Sequence, residues 1–285
     1  MNFKEYPEIT EKQKEIVSLV FKFRFINRKQ IQKILGHKDS HRINAWLKDL
    51  VEKKFLGRIY SHKLFENTKP AIYYLQNNGV LWAKYNELGE GEHFDDCASK
   101  GIKKYYADKT ASQIFIDHSV AMCNLYLQFK EQEGDKWDYQ CQTKSDLSTQ
   151  FLRDGDYNER RPYFPDMFIE KLTKDLDHST TVFVDLFPPH IPKYALEYKV
   201  RQYIEMCDAK EWKHFIGGID NRVPDFLFIL PSQGKLNRLA KYIQETLDES
   251  YDVEDVRFML TTYKKAMEQG VADNKIWKVL KDESM

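Results

Sequence analysis

An α/β chain in two parts is what this 285-residue sequence predicts, and three observations predict it. The first is a change of period. The opening third repeats its apolar residues at three- and four-residue steps, and the remainder mixes such stretches with short aromatic and β-branched runs. The second is a segregation of charge that the net value of +0 hides: residues 1–86 hold 17 Lys and Arg against 8 Asp and Glu, a net +9, so the rest carries −9. The third is composition, since 14% aromatic residues with only 12 Gly and 9 Pro describe a packed protein and not a disordered one. The expected division is a basic helix-rich domain over 1–86, a linker over 87–109, and a mixed-sheet α/β domain over 110–285 (α+β overall).

Several classes are excluded at this level. Cys97, Cys123, Cys141 and Cys207 stand singly, without a C-x-x-C pair, which argues against a zinc knuckle or a disulfide framework and fits a reducing compartment. No apolar run reaches the ~20 residues of a membrane span. The opening MNFKEYPEITEKQ lacks the apolar core of a signal peptide. The expectation is a cytoplasmic protein without a membrane partner.

Thr10-Glu11-Lys12-Gln13 has the spacing of a capping box and opens a helix carrying Ile16, Leu19, Val20 and Phe23. Asn27-Arg28-Lys29-Gln30 repeats that spacing before a short helix with Ile31, Ile34 and Leu35 inward, which Gly36 ends. Asp39 or Ser40 then caps a third helix running to Leu56, with Ile43, Trp46, Leu47, Leu50 and Val51 on one face. Beyond Gly57 the pattern becomes extended: Arg58-Ile59-Tyr60, a polar turn through Glu66–Pro70, then Ala71–Leu75, a hairpin wing. Asn77-Asn78-Gly79 starts a closing helix over Val80–Tyr85. Three helices, a hairpin and a helix are the order of a winged helix-turn-helix.

Taken alone, the third helix is an ordinary amphipathic one with a solvated face. Its setting in a basic module gives that face a task. Ser40, His41, Asn44 and Lys48 are groups that can enter a major groove and touch base edges. Arg28, Lys29, Lys38, Arg42, Arg58 and Lys63 are placed to meet phosphates, which set register and affinity but not sequence. The expected partner is double-stranded DNA, with a homodimer suited to two-fold sites.

After the aperiodic Glu87–Lys109 comes a long helix from Thr110 to Glu133, apolar over much of its girth; His118 within it reads as a core group or a site histidine. Strands are expected at Trp137–Thr143, Tyr163–Ile169, Thr180–Phe187 and Tyr194–Val200. A helix Arg201–Phe215, a strand Phe226–Leu230, a helix Gly234–Leu247 and a strand Val256–Thr261 complete the order. Within it, Pro165-Asp166 opens one strand and Glu197-Tyr198-Lys199 lies on a later one. Asp166 and Glu197 on adjacent strands would be oxygen ligands for Mg²⁺, and Lys199, on the same face as Glu197 by strand period, would position the attacking water. That is the layout of PD-(D/E)xK nucleases, with Glu131, Asp154 and Asp156 as candidates for a third acid; a plain Glu197–Lys199 ion pair is the alternative.

Together these segments resemble the replication-relaxation family of plasmids, phages and integrative elements. The similarity rests on Arg28–Leu35 and Arg42–Leu56, on Tyr73–Gly79 as a Y-x-L-x-x-x-G turn, on His118–Asn124, on Arg161–Asp166 against an R-P-D strand, and on Leu196-Glu197 against an acidic strand. The resemblance implies a DNA-binding protein of a mobile element, acting in its replication, mobilisation or control, with a restriction-endonuclease-like second domain. Two departures stand out: the family tends to read Glu-x-Asp where this chain has Glu197-Tyr198-Lys199, and Tyr163-Phe164 separates the Arg-Pro pair from Pro-Asp. Two functions follow as expectations, a sequence-reading duplex-binding protein and, alternatively, a Mg²⁺-dependent endonuclease that its winged helix targets. A regulatory protein whose second domain dimerises it or binds a partner is a third.

Overall fold

A computed structural model describes residues 6–60, 68–87, 102–134, 137–153, 164–173, 179–214, 222–250, 256–271 and 274–281. The chain divides into two compact units, residues 1–127 with 145–161, and residues 128–144 with 162–285.

The first unit runs α1 (Glu11–Phe23), β1 (Ile26–Asn27), α2 (Arg28–Ile34), α3 (Ser40–Glu52), β2 (Leu56–Ile59), β3 (Ile72–Leu75) and α4 (Asn77–Asn86). Both capping boxes form, Thr10 with Gln13 and Asn27 with Gln30. Gly36 turns at φ 60°, the left-handed geometry that glycine adopts without strain. The hairpin pairs Leu56 with Leu75 and Ile59 with Ile72, and β1 adds a third strand on β3. Gly79 sits where α4 meets the α3–β2 joint: a Cβ there would run into the Phe55 carbonyl, so only glycine lets the closing helix seat. Ile16, Val17, Val20, Ile31, Ile43, Leu47, Leu50 and Phe55 form the core, all at 0–1% exposure. The order of helices and hairpin is the one that the periodicity predicts, and residues 61–67 lie outside the described residues.

The unit extends past residue 86, where the expected domain ended. Tyr105 stacks on Phe21 and its hydroxyl donates to the Phe21 carbonyl. Buried Asp108 pairs with Arg24. The first part of α5 (Gln113–Lys130) is joined to α2, where the Gln30 amide donates to the Val120 carbonyl and to Asn124. Of the expected 87–109 linker, residues 88–101 lie outside the described residues; 102–106 are helical and packed.

The second unit is a six-stranded mixed sheet in the order β4 (Trp137–Thr143), β5 (Met167–Thr173), β6 (Ser179–Leu186), β7 (Asp225–Leu230), β8 (Arg257–Thr262) and β9 (Lys278–Lys281). The β4–β5–β6 pairs are antiparallel, β6–β7 and β7–β8 parallel, and β8–β9 antiparallel. Each parallel step needs a crossover, supplied by α7 (Lys193–Asp208) and α8 (Gln233–Ser250). Between β4 and β5 the chain forms α6 (Lys144–Arg153), and α9 (Tyr263–Gln269) follows β8. Phe183, Phe226 and Phe228 pack tilted against Tyr203 of α7, and Phe258 packs on Phe226 and Phe228, so three neighbouring strands meet at the centre of the core. The mixed α/β class is the one expected, and the strands beginning near Trp137, Thr180, Phe226 and Val256 fall where their residues place them.

The strand expected at Tyr163–Ile169 forms later, as Met167–Thr173, and α6 and β9 are additions; a further difference carries chemistry. Tyr194–Val200 is not a strand; it is the first half of α7, which starts after Pro192. Leu196, Val200, Tyr203, Ile204 and Cys207 supply a buried stripe at helical spacing. Residues two positions apart on a helix are rotated by about 200° rather than on one face, so Glu197 and Lys199 point to opposite sides.

Candidate nucleic-acid interface and carboxylate cluster

The interface on α3 begins with its cap. Asp39 accepts from the amides of His41 and Arg42, which pulls its carboxyl below the usual aspartate range. This holds the first turn, where Ser40, His41 and Arg42 sit. Ile43, Leu47 and Leu50 go into the core, leaving His41, Arg42, Asn44, Ala45 and Lys48 exposed and Ser40 half-buried. Arg42 lies over the Trp46 ring, with His37 against the same ring, so the indole braces two basic side chains without a charge of its own. Lys48 is 80% exposed and 3.8 Å from Glu52, too loose and too wet to restrain it.

The expected phosphate contacts take varied places. Lys29 and Lys38 are exposed. Arg28 donates to Gln32 at 2.9 Å, which orients its guanidinium along α2. Arg58 projects from β2 over the Tyr60 ring, 4.7 Å from its centre. Lys63 lies outside the described residues.

The predicted catalytic set is rearranged. Asp166 immediately precedes β5, and its carboxylate accepts from the Leu186 amide at 3.1 Å. Beside it is not Glu197 but Asp185 of β6. The Asp166 amide donates to Asp185 Oδ1 at 3.3 Å, and the Tyr203 hydroxyl donates to Oδ2. Lys199 Nζ lies 2.6 Å from Asp185 Oδ1. Asp185 and Lys199 are 1% and 7% exposed. Burial, with the Asp166 charge next, pushes the Asp185 carboxyl well up; burial, with Lys144 next, pushes the Lys199 amine well down. Glu197 turns the other way and pairs with Lys193 at 3.1 Å. The structure therefore sets both Asp166 and Lys199 against Asp185 and leaves Glu197 out.

Asp185 is the residue that the sequence reading passed over. The signal was present: it is a lone acid in the apolar run Val182-Phe183-Val184-Asp185-Leu186-Phe187, 19 residues after Asp166. A carboxylate buried in such a strand needs partners, and here an amide, a hydroxyl and an ammonium supply them.

For Mg²⁺, Asp166 and Asp185 offer the hard oxygens that the ion prefers, and two carboxylates with retained waters are a usual set. Lys199 already occupies a cation's place on Asp185 Oδ1, so ion and ammonium would compete for that oxygen. Among the described residues no group of three His, Cys, Asp or Glu could hold a metal. Of the third-acid candidates, Glu131 is exposed just beyond α5, and Asp154 and Asp156 lie outside the described residues. No helix among the described residues is long and apolar enough to cross a membrane.

A family model described as replication-relaxation matches residues 18–221. No curated protein matches the chain. Among solved structures, the restriction endonuclease FokI is similar at a TM-score of 0.32 and 15% identity, over 94% of this chain and 45% of that one. The chain thus spans less than half the length of that structure.

Proposed function

The chain belongs to the replication-relaxation family, and from that premise we propose that it is a sequence-reading, double-stranded DNA-binding protein of a plasmid or related mobile element. It acts in the cytoplasm on the element's replication, mobilisation or transcriptional control. The observation that carries this reading is α3: a capped helix in a basic module whose exposed face is His41, Arg42, Asn44 and Lys48 with no acid among them until Asp49 and Glu52. Imidazole, amide and ammonium groups at the N-terminal end of a reader helix can reach base edges. Arg28, Lys29, Lys38 and Arg58 of the same unit serve as phosphate contacts that fix register, as does Lys63, which lies outside the described residues, and a homodimer would suit a two-fold site. The test is selection from a random duplex pool with the full chain. A defined motif that His41→Ala with Asn44→Ala degrades is the expected result; an unchanged motif removes α3 from the reading role.

One observation favours a second reading, a Mg²⁺-dependent DNA endonuclease. Asp166, Asp185 and Lys199 converge, as the two acids and the lysine of such a site do, with Asp185 in the place expected of Glu197. When bound, Mg²⁺ supplies an acidified water and neutralises phosphate charge. In that reading Asp166 and Asp185 would hold the ion, Lys199 would orient the attacked phosphate or the water, and Tyr203 keeps the Asp185 carboxylate aimed. Supercoiled plasmid with Mg²⁺ decides it: nicking by the wild type and none by Asp185→Asn supports the nuclease, and no nicking by either protein leaves the binding role alone.

A further inference from the structure

Among the described residues, the two most exposed large apolar side chains are Tyr194 and Tyr198, at 72% and 60%. They lie one turn apart on α7, whose opposite side is buried through Leu196, Val200, Tyr203 and Ile204. Rings that wet contribute little to folding. The same exposed strip continues into Arg201 one turn further on. On its flank, Lys193 lines a pocket of about 240 Å³ together with Lys235 and Arg238 of α8. Lys235 is tied to the carbonyls of Pro189 and Ile191 and so fixes the loop entering α7; Glu197 offsets Lys193. Arg201 and Arg238 are exposed.

We propose that this face of α7 binds a single strand of nucleic acid, with Tyr194 and Tyr198 stacking on successive bases and Arg201 and Arg238 meeting its phosphates. The choice of occupant follows from the chemistry. A π-face can stack only on a base whose own face is uncovered, which excludes the interior of a duplex and selects an unpaired strand. Two rings followed on the same strip by Arg201, with Arg238 on the flank, match a chain of flat bases and negative phosphates. A protein partner would call for a contiguous apolar patch, and here Arg201 and Glu205 break the strip. The site is separate from α3, so it goes beyond duplex reading and does not depend on it.

The experiment uses the full chain and a fluorescent 20-nucleotide strand without self-complementarity, read by anisotropy, with an RNA strand of the same sequence as a second probe. Tyr194→Ala with Tyr198→Ala should weaken strand binding by about tenfold or more per ring. Tyr194→Phe with Tyr198→Phe should stay within about twofold, because the ring and not the hydroxyl does the stacking. Equal loss on DNA and RNA means the sugar is not read; loss on one alone names the strand. His41→Ala with Asn44→Ala should change duplex preference and leave strand affinity alone, so the two sites fail separately. The proposal is overturned if the alanine pair binds both strands as the wild type does, including the case where it merely dissociates a dimer in sedimentation. It is also overturned if the phenylalanine pair is as weak as the alanine pair.

Discussion

The face of α3 and the cluster behind β6 use the same kinds of residue in opposite settings. On α3 the polar groups stand in water and the apolar ones go inward, so removing His41 or Asn44 should leave the packing of the helix intact. In the cluster, Asp185 and Lys199 are enclosed, and the carboxylate is held by the Lys199 ammonium together with the Tyr203 hydroxyl and the Asp166 amide. The lesson is that a charge does not announce its role. Burial decides whether its loss is read as affinity or as stability.

The largest effect should therefore come from splitting the buried pair. Lys199→Met removes the ammonium in direct contact with Asp185 and should cost about 3–5 kcal/mol in chemical denaturation. Lys199→Met with Asp185→Leu should recover most of it, since removing both charges also removes the desolvation penalty. A single variant as stable as the wild type would break the comparison. The same variant sharpens the metal question: if Asp166 and Asp185 can hold Mg²⁺, the ion should raise the melting temperature of Lys199→Met more than that of the wild type.

Next in size is the reader helix. His41→Ala with Asn44→Ala should lower affinity for a selected site by about thirtyfold or more, from two base contacts at ~1–3 kcal/mol each. Stability should hold within ~0.5 kcal/mol, as for other exposed positions. Loss of stability instead of preference would place this face in the packing class. Smaller still are the phosphate contacts: Lys29→Ala and Arg58→Ala should each weaken binding to all sequences alike and flatten the salt dependence by a slope of about 1.

How much of this was legible follows the same division. The first unit's elements came from capping boxes, Gly36 and a clean 3.6-residue stripe, local signals that need no tertiary context, and the structure keeps them. The α7 error arose where two periods overlap. Tyr194, Leu196 and Tyr198 alternate like a strand, and only the longer stripe Leu196, Val200, Tyr203 and Cys207 identifies a helix. That error moved Glu197 into the site and kept Asp185 out, because the pairing of an acid with a lysine was read along the chain. The real pair joins β6 to α7 across 14 residues, a contact that spacing alone cannot show. Docking of residues 102–127 on the first unit was hidden for the same reason: Arg24 with Asp108 and Gln30 with Asn124 are partners far apart in sequence.

The smallest effect tests the cap, and its pH dependence has a defined sign. Asp39 holds the amides of His41 and Arg42, and these bonds favour its ionised form, so its folded pKa lies below the ordinary value of 3.8. A group lowered in this way contributes stability that is present above the unfolded value and lost as pH falls through the folded one. The melting temperature of Asp39→Ala should accordingly lie slightly below that of the wild type at pH 7, and the gap should narrow below pH 3.8 as the wild-type carboxylate takes up its proton. Asp39→Asn retains a capping oxygen and cannot titrate. Its small difference from alanine should persist across the same range. Because the cap orders the turn that carries Ser40, His41 and Arg42, Asp39→Ala should also weaken binding to the selected duplex more than to unrelated sequence. A gap that ignores pH would mean that α3 holds its first turn by packing alone, and the reader's exposed face would then owe nothing to the carboxylate at its head.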